Sequence, residues 1–139
     1  MTDQQPATRH VRCLVLLKKQ DTMSQAEFDQ YWLDVHGAIA SHYPNVVRYT
    51  QLHLLNQPQQ EFPDAEPISV SGIVDFVYTS IEDVPPIWES SEGLEGRADA
   101  PVFLAGALHC FVEETVVTDH LDLGSLTELP LVSEPARYP

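Results

Sequence analysis

The chain has 139 residues, 43% of them apolar, and a net charge of −14. That length fits one domain with a single core, and the apolar share excludes a disordered chain. No apolar run reaches the roughly 18 residues that span a bilayer, and so acidic a surface repels phosphate backbones and anionic lipid, which leaves a nucleic acid or a membrane as poor partners.

Met1–His10 is polar and has no apolar signal core, so it reads as a loose leader (1–10) on a cytoplasmic protein. Val11–Leu17 (VRCLVLL) is an apolar run of strand length, broken by Lys18-Lys19-Gln20-Asp21. Ser24 then starts a helix. Glu27 follows three residues later as a capping box, and Met23 and Phe28 stand at the positions of a hydrophobic staple. Phe28, Tyr31, Trp32, Val35 and Ile39 follow helical spacing and form one apolar face. The spacing predicts a helix over 24–41, ended by Tyr43-Pro44.

Val46–Leu55 alternates. Val47, Tyr49, Gln51 and His53 share one face, and Val46, Arg48, Thr50, Leu52 and Leu54 share the other. Residues 56–67 hold three prolines and read as a long loop, of the kind that often serves as a lid or binding segment. Ser69–Thr79 is a third strand, its apolar run interrupted by Asp75. Ile81–Ser91 has helical content, with Pro85-Pro86 suited to a first turn. Leu94–Leu104 reads as a second short helix, broken near Pro101, and Ala107–Thr118 as a fourth strand. The last segment, 119–139, carries regular leucines that suit packing on the domain or on a partner subunit.

The order over residues 11–118 is β-α-β-β-α-β, the ferredoxin-like α+β arrangement with a four-stranded antiparallel sheet. Helices on one face leave the other to be covered. Two such sheets face to face solve this, so a homodimer is expected. Cys13 and Cys110 lie in strand-like runs without C-x-x-C spacing and read as reduced, buried thiols.

Three stretches carry a resemblance: Leu17-Lys18-Lys19 at a strand end, Phe28-x-x-Tyr31-Trp32-x-x-x-His36 on the helix, and Arg48-Tyr49-x-x-x-His53 on the next strand. Together they resemble the EthD family of the dimeric α+β-barrel superfamily. The match is best over 14–55 and weaker over 71–118. The resemblance implies proton-transfer chemistry on a small cyclic or aromatic compound without metal or organic cofactor. Relatives include methylmuconolactone isomerases and polyketide dehydratases, decarboxylases and cyclases. In the lactone isomerases a helix histidine and a strand tyrosine line the pocket, and His36 and Tyr49 match those positions. The pocket cysteine of those isomerases has no matching position in this chain.

By spacing alone, His36 sits at the margin of an apolar face, where it either keeps a polar edge in a cavity or simply favours the helix C-terminus. Under the resemblance it is the acid/base residue. Tyr49 is then the hydrogen-bond donor to a developing enolate or oxyanion; its alternative is a core tyrosine with a satisfied hydroxyl. Gln51 and His53 share the Tyr49 face and are candidates for the same cluster. Asp75 interrupts an apolar strand, so it either pairs, for instance by orienting His36, or faces water. Trp32 and Trp88 are candidates for an aromatic wall, with core packing as the plainer role. His109 is a strand histidine open to either reading.

No G-x-G-x-x-G, Walker or G-x-S-x-G sequence is present. His36 and His42 do not share a helix face, so no zinc pair is expected. The expectation is a cofactor-free lyase or isomerase acting on a lactone, aromatic or polyketide-like carbonyl compound. The alternatives are a non-catalytic ligand-binding or accessory protein and a cofactor-free monooxygenase.

The excess negative charge all falls after residue 55, where Arg97 and Arg137 are the only bases. Such a surface favours a neutral substrate, or one shielded in a pocket, over a polyanion.

Overall fold

The computed structural model describes residues 9–56 and 58–120. The first apolar run forms β1 (Val11–Lys19), and its alternation sorts it into two faces. Cys13, Val15 and Leu17 are buried, while Leu14 and Leu16 point to the other side and are half-buried.

The predicted capping box is formed. Ser24 Oγ accepts from the Glu27 backbone N–H (3.1 Å), and the Glu27 carboxylate accepts from the Ser24 N–H (2.8 Å). The helix it starts has three parts: α1 (Gln25–Tyr31), a π-helical turn (Trp32–His36) and α2 (Gly37–Ala40). Sequence spacing anticipates the span but not the π turn. An extra residue in one turn rotates every later position about the helix axis. Phe28 and Trp32 are fully buried as expected, but Val35, placed on the apolar face by regular spacing, is 40% exposed. The Trp32 carbonyl at this turn accepts both the Gly37 N–H and the Gln51 side-chain amide (3.0 Å), which ties the helix to the sheet.

The other strands are β2 (Val46–His53), β3 (Gly72–Tyr78) and β4 (Leu104–Val112), in the sheet order β2-β3-β1-β4, all antiparallel. A bulge in β2 sets Val46 opposite Tyr78 and Arg48 opposite Val77. Val46 therefore packs on the core and Val47 is half exposed, the reverse of simple alternation. Past the bulge the predicted face holds: Tyr49 pairs with Phe76, Gln51 with Val74 and His53 with Gly72.

α3 (Val84–Ile87) is one turn with Pro85 and Pro86 at its start, as their missing N–H groups require. α4 (Ser91–Phe103) is unbroken, in contrast to the predicted interruption near Pro101. Ser90 caps it by accepting from the Gly93 N–H (3.0 Å), and Pro101 falls in the last turn. β4 begins at once, three residues earlier than its pattern indicates, and ends at Val112 instead of Thr118. Gln20 holds this helix-to-strand junction: its backbone N–H donates to the Phe103 carbonyl and its side chain to the Pro101 and Leu104 carbonyls.

The helices cover one face of the sheet. Between them lie the fully buried Trp32, Tyr78, Phe28, Phe103, Ile87 and Cys13. Trp32 lies against Gly72, where an added Cβ would stand 2.5 Å from the indole. Leu14, Leu16, Ile73, Val77 and Leu108 lie on the opposite face, with Leu108 59% exposed. Two sequence expectations concern residues largely outside the described ones, namely the loose leader and the packing of the segment 119–139. Among the described residues no helix is long and apolar enough to cross a membrane.

Candidate active site

A cavity of about 120 Å³ lies between the sheet and the helices. Its sheet side is apolar, with Val15, Val74 and Phe76, and Trp32 and Phe103 close it from the helices. His36, Tyr49, Trp88 and His109 also line it.

His36 comes from the π turn, and its ring packs 4.8 Å from that of Phe103. Nδ1 lies 2.9 Å from Asp99 Oδ2, with both side chains largely buried. A carboxylate can only accept, so the Nδ1 proton sits in this bond and Nε2 is left as the basic nitrogen. Burial pushes His36 below the ordinary histidine value, against the opposing pull of Asp99. The ring is therefore a neutral base at neutral pH. Asp99 is held from its other oxygen, Oδ1, by the Tyr31 hydroxyl (2.5 Å), and this bond pushes the Tyr31 phenol up to about 12.

Tyr49 reaches the same cavity from β2, its ring 5.2 Å from Phe76. Its Oη accepts from Gln51 Nε2 (2.7 Å), so its own O–H points away from Gln51. The Gln51 amide is oriented by the Trp32 carbonyl, which turns Oε1 toward His53 Nε2 (2.8 Å). His53 in turn lies over Trp32 (4.4 Å between centroids) and beside Asp29 (3.1 Å). Gln51 and His53 thus stand behind Tyr49 and do not line the cavity.

The structure brings His36, Tyr49, Trp32 and Trp88 to one cavity. It does not bring Asp75 there. Asp75 lies on the opposite face of the sheet, where Arg12 grips it through two bonds (3.0 and 2.8 Å). An unpaired carboxylate in that apolar strand would be costly, and this pair resolves the cost without involving His36. The carboxylate that does orient His36 is Asp99, which sequence reasoning missed. A signal exists: Asp99 sits three residues after Gly96 and four before Phe103, both buried, so it shares their side of α4.

Tyr43 was missed as well. Burial pushes its phenol up to about 12, and Gly96 leaves room for its hydroxyl, since a Cβ there would lie 1.7 Å from Oη. Among the described residues no three His, Cys, Asp or Glu side chains converge in a metal-binding group.

A four-stranded antiparallel sheet covered on one face by helices from two β-α-β halves defines a ferredoxin-like α+β protein. The model of the EthD domain matches residues 20–107, and the chain belongs to the EthD family. The resemblance read from Phe28, Tyr31, Trp32, His36, Arg48 and Tyr49 is thereby confirmed.

Solved structures of other proteins share the fold, among them these three. An EthD family protein of Bacillus halodurans is 19% identical, with a TM-score of 0.57, over 76% of this chain and 99% of that one. A hydroxynitrile lyase from Passiflora edulis is 18% identical, with a TM-score of 0.57, over 80% and 99%. SnoaB, a cofactor-independent oxygenase from Streptomyces nogalater, is 14% identical, with a TM-score of 0.54, over 79% and 98%. Comparison with curated proteins gives no match.

Proposed function

We propose that this EthD-family chain is a cofactor-independent lyase or isomerase that acts by proton transfer on a small lactone, aromatic or polyketide-like carbonyl compound. The observation that carries the reading is the His36–Asp99 pair at the wall of an apolar cavity shared with Tyr49. His36 Nε2 removes a proton from the carbon next to the carbonyl. The negative charge that develops on the carbonyl oxygen takes a hydrogen bond from Tyr49. Asp99 holds the ring in the tautomer that leaves Nε2 basic and steadies the imidazolium that forms. The proton then returns to another carbon or departs with a leaving group, which separates isomerisation from elimination.

Cavity size bears on the substrate. A volume near 120 Å³ is below the ~300 Å³ at which drug-sized pockets begin. It is close to the ~150 Å³ that accommodates one benzene. The reacting part of the substrate is therefore about one ring. The shared fold of a lyase and an oxygenase that needs no cofactor supports chemistry carried by side chains alone.

The reading includes a homodimer. Leu14, Leu16, Ile73, Val77 and Leu108 form an apolar sheet face that a second copy would cover.

The test is turnover of a panel of cyclic lactones and aromatic ketones in heavy water, read as product and as deuterium at the carbon next to the carbonyl. His36→Ala is expected to lower the rate about 10²–10⁴-fold. An undiminished rate in that variant would overturn the assignment. Thermal stabilisation by these compounds with no deuterium incorporation would instead favour a binding or accessory protein.

A further inference from the structure

A wider groove of about 600 Å³ adjoins the cavity, and the two share Trp88, Arg97 and His109. These three residues form the threshold between them. The remaining groove wall is apolar, with Ile81, Val84, Pro85 and Phe111.

Arg97 is exposed to solvent and is the one permanently charged side chain among the residues that line the cavity and the groove. The chain is strongly acidic, with 21 carboxylates against seven bases, yet the Arg97 guanidinium makes no hydrogen bond or ion pair with another described residue. On its own helix the positions three and four residues away are Gly93, Leu94, Ala100 and Pro101, none of them charged, while Glu95 and Asp99, two residues away, act on the Tyr43 phenol and Asp99 bonds His36. By contrast Arg12, on the outer sheet face, is committed to Asp75 and Glu114. A guanidinium presents donors in a rigid fork that matches a carboxylate. Beside apolar walls and a ring-sized cavity, it offers a charged group that can orient a ligand. The chain's overall negative field disfavours a multiply charged anion such as a phosphate and tolerates a single charge.

We infer that Arg97 anchors a single carboxylate on the ligand of this cavity, so that the ligand is an amphipathic monocarboxylate whose ring enters the cavity while its acid group stays at the threshold. The inference rests on the proposed site, but it concerns binding and not proton transfer. The anchor sets which end of the ligand meets His36, and it selects acids over their amides and esters.

The test compares benzoate with benzamide, which match in shape and differ in charge, by calorimetry or NMR titration at millimolar concentration. Wild-type protein is expected to bind benzoate more tightly, with a preference that weakens as salt is raised. Arg97→Gln is expected to weaken benzoate about 10- to 100-fold and leave benzamide unchanged, with Arg97→Lys in between. The preference is expected to persist near pH ~8, where free histidine is neutral; its loss there would assign it to His36 or His109 and overturn the inference. His36→Ala should keep the difference between benzoate and benzamide even though it slows the proposed catalysis, so the two readings fail separately. Absence of benzoate binding, equal binding of the two probes, or an unchanged preference in Arg97→Gln each overturns the inference.

Discussion

Replacing Asp99 by asparagine keeps the size of the side chain but changes what it offers His36. In the native pair, Asp99 Oδ2 accepts the Nδ1 proton at 2.9 Å and Oδ1 accepts the Tyr31 hydroxyl. An asparagine that keeps its carbonyl on Tyr31 must turn its NH₂ toward His36. Nδ1 must then accept, so the ring proton moves to Nε2 and the basic lone pair is withdrawn from the cavity. The variant also lacks the charge that steadies the imidazolium. Because a general base contributes about 10²–10⁴ in rate, a loss approaching that range is expected in kcat with little change in KM. Both side chains are largely buried, at 12% and 14% exposure, so losing a charge-assisted hydrogen bond should also cost about 1–3 kcal/mol of stability. Steady-state kinetics on any substrate found, ¹⁵N NMR of the imidazole and urea unfolding report the three consequences. Native-like kcat together with an unchanged Nδ1–H signature would refute the reasoning.

Three further outcomes are expected from neighbouring contacts. His36 titrates below its unfolded value, so as pH falls the unfolded chain takes up its proton first; stability should hold above pH ~6.5 and fall as pH drops through the folded value. His36→Gln should flatten that part of a urea-midpoint profile, and an equal slope in both proteins would count against it. Gly96→Ala places a methyl group 1.7 Å from Tyr43 Oη, so a loss of about 1–3 kcal/mol in thermal unfolding is expected from overpacking, together with weaker ligand uptake by the cavity. Gln51→Met removes the bonds to the Trp32 carbonyl and to Tyr49 and should cost about 1 kcal/mol or more; full stability would show that these bonds do not hold the π turn to the sheet.

Local patterns in the sequence were enough to find most of the elements. The Ser24–Glu27 box, the alternation in β1 and the proline pair of α3 are each decided by neighbours a few residues apart. The family motif around Phe28–His36 and Arg48–Tyr49 named two residues that line one cavity. The features that escaped depend on distant partners. The π turn is accompanied by a bond from Gln51, nineteen residues away, and it moved Val35 out of the core. The bulge at Val47 belongs to the pairing of β2 with β3. Asp99 meets His36 across 63 residues, a contact that no local pattern encodes. Asp75 looked like the orienting carboxylate because it broke an apolar run, but a strand residue adjacent to two core positions must face the other side of the sheet, where Arg12 pairs with it.

The central claim is that neutral His36 is the base. Its most direct test is to measure the pH dependence of kcat/KM and the NMR titration of the His36 ring on the same protein. Both should share one apparent pKa below 6.5, with activity rising as the ring loses its proton, and Asp99→Asn should shift or abolish that limb. An activity limb that does not track the His36 titration, or one that survives unchanged in His36→Ala, would contradict the account.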